Sequence, residues 1–321
     1  MQRAYPKTKI GISIVIPLYN EEENVELLYG SLKEVVKTLD RKTEIIFIDD
    51  GSTDQTFQVL SNLKKSDGNI KLIRFTKNFG QTAAMSAGFY YAGGEIIITM
   101  DGDLQNDPKD IPLLLDKVEE GYDIVSGWRV NRQDKLISKK IPSKMANWII
   151  GLITGVKLHD SGCSLKAYRS EVVKNLRLYG EMHRFIPALA SSTGAKIAEV
   201  EVNHHSRRRG NSKYGISRTI RVILDLITIK FLLSFLTRPL QIFGLWGLMF
   251  SGIGFLVCLY LSIAKLFFGQ GLADRPLLLL GLLLLVLGVQ FIGFGLIAEM
   301  QTRTYYELQN KPIYVIKDLI E

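Results

Sequence analysis

The chain has 321 residues, 47% of them hydrophobic, and a formal net charge of +8, enough for two ordinary domains or one large α/β domain with an appendage. Its two cysteines, Cys163 and Cys258, fall in stretches of contrasting polarity, which argues against a disulfide framework and for a reducing compartment around the polar part. The first two hundred residues read as a charged soluble protein while residues 239–298 hold almost no charge, and the positive excess sits just before that apolar region, pointing to a membrane rather than nucleic acid.

Met1 to Ile16 has basic residues and then an apolar run, but the run is short and stops at Pro17 before an acidic cluster, which predicts a first strand rather than a signal peptide. Ile12–Pro17, Glu44–Ile48, Ile70–Phe75, Glu95–Met100 and Asp123–Ser126 are short continuous apolar runs, the pattern of buried parallel strands. Between them Glu22–Leu39, Thr56–Lys65, Gln81–Ala92 and Ile111–Glu120 read as helices. The alternation predicts an α/β fold, a Rossmann-like, mostly parallel sheet with flanking helices and its ligand at the carboxyl ends of the strands. Polar motifs occupy those ends: Tyr19-Asn20-Glu21, Asp49-Asp50-Gly51-Ser52-Thr53-Asp54 and Asp101-Gly102-Asp103. There is no glycine-rich dinucleotide loop after the first strand and no Gly-Lys-Ser/Thr phosphate loop, which weighs against dehydrogenases and phosphate-loop NTPases.

Asp101 and Asp103, two apart past a buried strand, can present carboxylates to one hard cation, with Gln105 adding an amide oxygen; such ligands suit Mg²⁺ or Mn²⁺ bridging phosphates. A solvated Asx-rich turn is the alternative for the same residues. Asp50 is the candidate for accepting hydrogen bonds from a base or ribose, whereas Ser52 and Asp54 read as the cap of the next helix.

Arg207, Arg208, Arg209, Lys213, Arg218, Arg221, Lys230 and Arg238 precede the apolar region. Residues 216–238 read either as an interfacial amphipathic helix or as a solvated helix packed on the soluble domain. Residues 239–264 and 276–298 carry no formal charge, and each stretch exceeds the ~20 residues a helix needs to cross a bilayer. A two-helix hairpin over 239–300, with the basic residues on one side, predicts an integral membrane protein with a soluble domain (1–215) and both termini in the cytoplasm. Gly244, Gly247, Gly252 and Gly254 permit close helix packing, compatible with a homo-oligomer. The tail, residues 301–321, ends in Pro312, Ile313 and Val315, compatible with a short strand or a docking arm.

The segments Ile16-Pro17-Leu18-Tyr19-Asn20-Glu21, Asp49 to Asp54, Asn78-Phe79-Gly80 and Asp101-Gly102-Asp103-Leu104-Gln105 resemble those of the inverting family 2 glycosyltransferases with the GT-A fold. Ser161-Gly162-Cys163 and Arg209-Gly210-x-Ser212-Lys213-Tyr214 resemble the polyprenyl-phosphate branch of that family, which includes dolichyl-phosphate mannose synthases and bacterial bactoprenol glucosyltransferases; the pair of C-terminal spans favours the bacterial members. The resemblance implies that Pro17, Tyr19, Glu21 and Asp50 line a nucleotide pocket and that Asp101, Asp103 and Gln105 surround a metal and diphosphate. It implies transfer of a hexose, with UDP-glucose the preferred donor and GDP-mannose the alternative, to a polyprenyl phosphate at the cytoplasmic face of a bacterial membrane. No Gln-x-x-Arg-Trp motif of processive synthases occurs, which implies one transfer per acceptor.

The same resemblance makes Arg129, Ser161, His183 and Arg184 candidates for orienting the acceptor phosphate, with Arg129 and Asp160 near the reaction and Asp160 as a base or as a group facing the sugar. Surface charge is the plain alternative for Arg129, and a structural histidine for His183. Arg207, Arg209 and Lys213 either close over the donor diphosphate or form a collar binding anionic lipids. His204 and His205 lack the companion ligands of a zinc site. Two rival readings remain: a transferase acting on a glycerolipid, and a membrane adaptor that has kept the fold without catalysis.

Overall fold

The computed structural model describes residues 10–130, 151, 156, 158–174, 176, 178, 182–205, 239–268, 271, 276–308 and 313–320. The chain divides into two compact units, Met1–Ile227 with Pro312–Glu321, and Thr228–Lys311. Among the described residues the first unit is built on an eight-stranded sheet in the order β7-β5-β6-β4-β1-β2-β3-β8.

Four parallel strands form its centre: β1 (Ile12–Leu18), β2 (Thr43–Asp49), β3 (Ile70–Phe75) and β4 (Ile96–Thr99). All seven residues of β2 are buried, which is why these runs lack the alternation of a half-exposed strand. Helices α1 (Glu22–Val36), α2 (Thr56–Ser66), α3 (Gln81–Tyr91) and α4 (Ile111–Glu119) connect or flank them. In α1, Val25, Leu28, Tyr29, Leu32 and Val35 recur at helical spacing and are buried, while Glu22 and Glu23 meet the positive end of the helix dipole. The five strands and four helices read from the sequence are all present, with ends shifted by at most a few residues.

Three strands complete the sheet. β5 (Ile124–Trp128) pairs in parallel with β7 (Ile197–Glu201), and β6 (Lys166–Arg169) lies antiparallel between β4 and β5. The last strand, β8 (Ile316–Ile320), pairs antiparallel with β3, so the tail takes the strand alternative and covers the edge of the first unit's sheet. Short helices α5 (Ser170–Lys174) and α6 (Ile186–Ser191) follow β6.

The second unit contains α7 (Pro239–Phe268) and α8 (Pro276–Leu308), both long and apolar enough to cross a membrane over Phe243–Phe268 and Pro276–Ala298. Only 22% and 11% of these apolar windows are buried, unlike the core helices of a soluble protein. The two helices pack through small residues: a side chain at Gly247 or Gly254 would run into the α8 backbone at Gly288 or Gly281, whereas Gly252 faces open space. The amphipathic segment expected over 216–238 lies outside the described residues.

Candidate active site

The site forms where β1, β2 and β4 end. Their loops are laced together: Asn20 N–H donates to Ser52 Oγ (3.0 Å), Thr53 N–H to Asn20 Oδ1 (2.8 Å) and Glu21 N–H to Thr56 Oγ1 (2.9 Å). Asn20 holds φ 53° to make this turn, a left-handed conformation that asparagine tolerates. Ser52 therefore bonds the first loop rather than capping a helix, while Asp54 Oδ1 does accept from the first N–H of α2 (Thr56, 3.0 Å). Glu21 accepts from Asn24 Nδ2 at 2.6 Å, and Pro17, Tyr19 and Glu21 are half-buried at this strand end.

Asp50 is buried directly after β2 and accepts from Phe79 N–H (2.7 Å) and Gly80 N–H (2.9 Å). Burial, reinforced by Asp49, raises its carboxyl to about 6, although the two N–H donors pull the other way. Gly51, the next residue, has no room for a side chain: its φ is +69°, and a Cβ there would strike the backbone of Lys77 and Asn78.

Asp101, Asp103 and Gln105 follow β4 on a tight loop. Leu104 sits at φ 60°, unusual for leucine, and a Cβ at Gly102 would collide with the Leu18 side chain, so the loop hugs the end of β1. Asp101 Oδ1 accepts from Gln81 Nε2 (2.7 Å) and Asp103 Oδ1 from Gln105 N–H (3.2 Å). Among the described residues no group of three His, Cys, Asp or Glu side chains converges on one point. The donor set at this loop, two carboxylates and an amide, consists of hard oxygen ligands of the type that suits a divalent cation such as Mg²⁺.

The antiparallel β6 carries Asp160 to the same place, because pairing Thr99 with Lys166 sets the start of β6 beside the end of β4. Arg129, one residue past β5, grips Asp160 in a two-pronged fork, Nε to Oδ2 at 2.6 Å and Nη2 to Oδ1 at 2.9 Å, with both side chains nearly buried. Glu199 on β7 holds the backbone N–H groups of His159 (3.0 Å) and Asp160 (3.2 Å), and Trp128 stacks on His159. Ser161 Oγ is buried with no hydrogen-bond partner among the described residues. Beneath them Lys166 is buried and donates to the Ser161 carbonyl at 3.0 Å; burial lowers its pKa.

His183, in a 3₁₀ turn (Met182–Phe185), bonds Thr82 Oγ1 through Nδ1 at 2.8 Å. Burial, then the charges of Arg184 and Lys166, push it down to about 3, so its imidazole is neutral near pH 7. Arg184 is half-buried beside it. Three successive residues at the start of α3 thus reach three parts of the site: Gly80 binds Asp50, Gln81 binds Asp101 and Thr82 binds His183. Gln81 and Thr82 escaped the sequence reading, although they directly follow the Asn78-Phe79-Gly80 motif. The segment after β7 returns to the acidic loop, with His205 N–H on the Gln105 carbonyl (2.9 Å) and Asn203 on both oxygens of Asp110 (2.7 and 2.8 Å). His204 and His205 therefore tie loops together. Arg207, Arg209 and Lys213 lie outside the described residues.

Residues 13–177 match the model of glycosyl transferase family 2. Across 323 residues the chain is 45% identical to dodecaprenyl-phosphate galacturonate synthase of Rhizobium johnstonii, covering 98% of this chain and 95% of that protein. It is 37% identical over 318 residues to undecaprenyl-phosphate 4-deoxy-4-formamido-L-arabinose transferase of Klebsiella pneumoniae, with 98% and 95% covered. Among solved structures, glucosyl-3-phosphoglycerate synthase of Mycobacterium tuberculosis, in complex with Mn²⁺, UDP and glucosyl-3-phosphoglycerate, superposes with a TM-score of 0.55 at 18% identity, over 69% of this chain and 80% of that one.

Proposed function

The chain belongs to glycosyl transferase family 2, a family of enzymes, and from that premise we propose that it transfers one sugar from a nucleotide-sugar to a polyprenyl phosphate at a membrane surface. The observation that carries this reading is the meeting of Asp50, Asp101 and the Arg129–Asp160 pair around adjacent strand ends in a chain that also bears two apolar helices. Both relatives carry a polyprenyl phosphate in their names, which supports the acceptor. The sugar expected from sequence was glucose; the 45% identical relative supports galacturonate instead, so UDP-galacturonate is the donor proposed first and UDP-glucose second.

In this mechanism an oxygen of the acceptor phosphate attacks the anomeric carbon, the bond from that carbon to the donor diphosphate breaks, and configuration inverts. A phosphate whose second pKa is ~6 is already anionic near neutrality, so it needs positioning more than a general base. Pro17, Tyr19, Glu21 and Asp50 hold the nucleotide, and Asp101, Asp103 and Gln105 hold Mg²⁺ or Mn²⁺, which when bound neutralises charge building on the departing diphosphate. Arg207, Arg209 and Lys213 assist at the diphosphate; their sequence position, shortly after His205 on the Gln105 carbonyl, supports this. Ser161, His183 and Arg184 receive the acceptor phosphate. Arg129 holds both oxygens of Asp160, which supports the pair as the group that orients the acceptor end of the site, and an acceptor phosphate that is already anionic asks little of Asp160 as a base.

Connectivity supports a hairpin arrangement, since the chain leaves the first unit before α7 and β8, after α8, is again part of that unit's sheet. The basic residues before α7 support the cytoplasm as the side of both termini. Purified full-length protein with Mn²⁺ or Mg²⁺, undecaprenyl phosphate and a panel of UDP- and GDP-sugars tests the donor. Turnover of UDP-galacturonate above all others is expected, and preference for UDP-glucose or GDP-mannose overturns the choice of sugar.

A further inference from the structure

We propose that the strand following the membrane helices, β8, is a positioning element of the donor pocket, with Tyr314 and Asp318 holding its two walls through Phe75 and Arg74. The inference rests on the reading of the Asp50 loop as the nucleotide site. At the end of β3, Arg74 and Phe75 are consecutive and so point to opposite faces of the sheet. The pairing of β3 with β8 shifts register between them, Arg74 facing Asp318 and Phe75 facing Ile316, so that Lys317 has no opposite residue. A bulge re-aims the side chains beside it, and such bulges occur at sheet edges and next to sites alike. The ladder continues one step further toward the site, with Thr76 N–H on the Val315 carbonyl at 3.1 Å.

On one face, the Arg74 guanidinium lies 4.1 Å above the Phe57 ring, with Nε 3.5 Å from Asp49 Oδ2 and Nη1 3.8 Å from Asp318 Oδ2. Asp49 is fully buried, and its Oδ2 accepts no hydrogen bond among the described residues, so Arg74 is the countercharge it has there. Asp49 Oδ1 in turn accepts from Ser52 N–H at 2.9 Å, and Ser52 Oγ fixes Asn20. Asp318 therefore steadies the arginine on which the Asp49–Ser52 turn depends.

On the other face, the buried Tyr314 ring stacks on Phe75 with centroids 5.1 Å apart and planes at 15°. The Phe75 ring meets Phe79 edge-on at 5.7 Å and 88°. Phe79 and Gly80 supply the two N–H groups that hold the Asp50 carboxylate. Two separate chains of contact thus run from the tail to the residues on either side of Asp50. An edge cover needs only main-chain bonds; these side chains lead to the pocket.

The test uses full-length enzyme carrying Tyr314→Ala, Tyr314→Phe or Asp318→Asn, with calorimetric binding of UDP and GDP and steady-state kinetics for donor and acceptor. Losing one aromatic pair corresponds to roughly three- to tenfold, so Tyr314→Ala is expected to weaken nucleotide binding and raise donor KM by that factor, leaving kcat and acceptor KM within about twofold. Tyr314→Phe keeps the ring and wild-type binding, while Asp318→Asn, which neutralises a part-exposed partner 3.8 Å from Arg74, is expected to weaken nucleotide binding by about two- to fivefold; an unchanged affinity there removes Asp318 from the positioning role. If Tyr314→Ala lowers the melting temperature but leaves nucleotide affinity within about twofold, or if donor and acceptor KM rise together, the positioning role is wrong. Wild-type protein that binds neither UDP nor GDP overturns the nucleotide reading and this inference with it.

Discussion

Arg129 and Asp160 face each other through two hydrogen bonds, 2.6 and 2.9 Å, between side chains only 11% and 5% exposed. Removing one member leaves the other charge buried without its partner, which costs about 3–5 kcal/mol, whereas replacing both with apolar groups of similar volume restores most of the stability. Asp160→Ala should lower the thermal midpoint sharply and Arg129→Met/Asp160→Leu should recover it, with both variants inactive. Equal stability of Asp160→Ala and wild type in a melting experiment would contradict the pairing.

Asp101 and Asp103 supply the charged oxygens of the proposed cation site. Asp103→Ala should cut transfer by about a hundredfold or more and abolish the dependence of UDP binding on Mn²⁺. Calorimetry with and without Mn²⁺ separates this from misfolding, because metal-independent UDP binding persists if the fold is intact. Undiminished transfer by Asp103→Ala would remove the metal assignment.

Asp50 titrates near 6 in the fold against an ordinary 3.8. A raised carboxyl binds its proton more tightly when folded, so its contribution to stability is fully present below about 4 and is lost as pH rises to about 6. Nucleotide binding runs the opposite way, since the carboxylate is the better acceptor, and affinity for UDP-glucose, whose diphosphate has no group titrating near 6, should fall as pH drops through about 6. Asp50→Asn should flatten both profiles in urea denaturation and calorimetry between pH 4 and 8.

Gly51 combines φ +69° with the backbone of Lys77 and Asn78 against its missing side chain. Gly51→Ala should cost roughly 1–3 kcal/mol in chemical denaturation. Gly68, with open space around it and an ordinary φ, is the control, and Gly68→Ala should be nearly neutral.

The centre of the sheet was legible because parallel strands buried on both faces, such as β2, leave continuous apolar runs that no loop imitates. Asp50 and Asp101 were legible for the related reason that ligand groups gather at the ends of such strands. β6 was not, since Lys166-Ala167-Tyr168-Arg169 has a buried lysine where the pattern asks for an aliphatic, and its neighbours in space, β4 and β5, both precede it in the chain. β7, Ile197–Glu201, is only half-buried and alternates with two glutamates, so it too passed unseen. Gln81 and Thr82 look like ordinary helix residues until folding sets Asp101 and His183 against them. The tail remained open between strand and arm because only its pairing with β3 distinguishes the two.

The linkage of the product distinguishes a lipid phosphate acceptor from a glycerolipid. Purified full-length protein is incubated with sugar-labelled donor, Mn²⁺ and either undecaprenyl phosphate or diacylglycerol, and the extracted lipid is treated with mild acid. Labelled lipid formed only with undecaprenyl phosphate, releasing its sugar in mild acid, is the predicted result; an acid-stable labelled glycerolipid, or no labelled lipid from any donor, would contradict it.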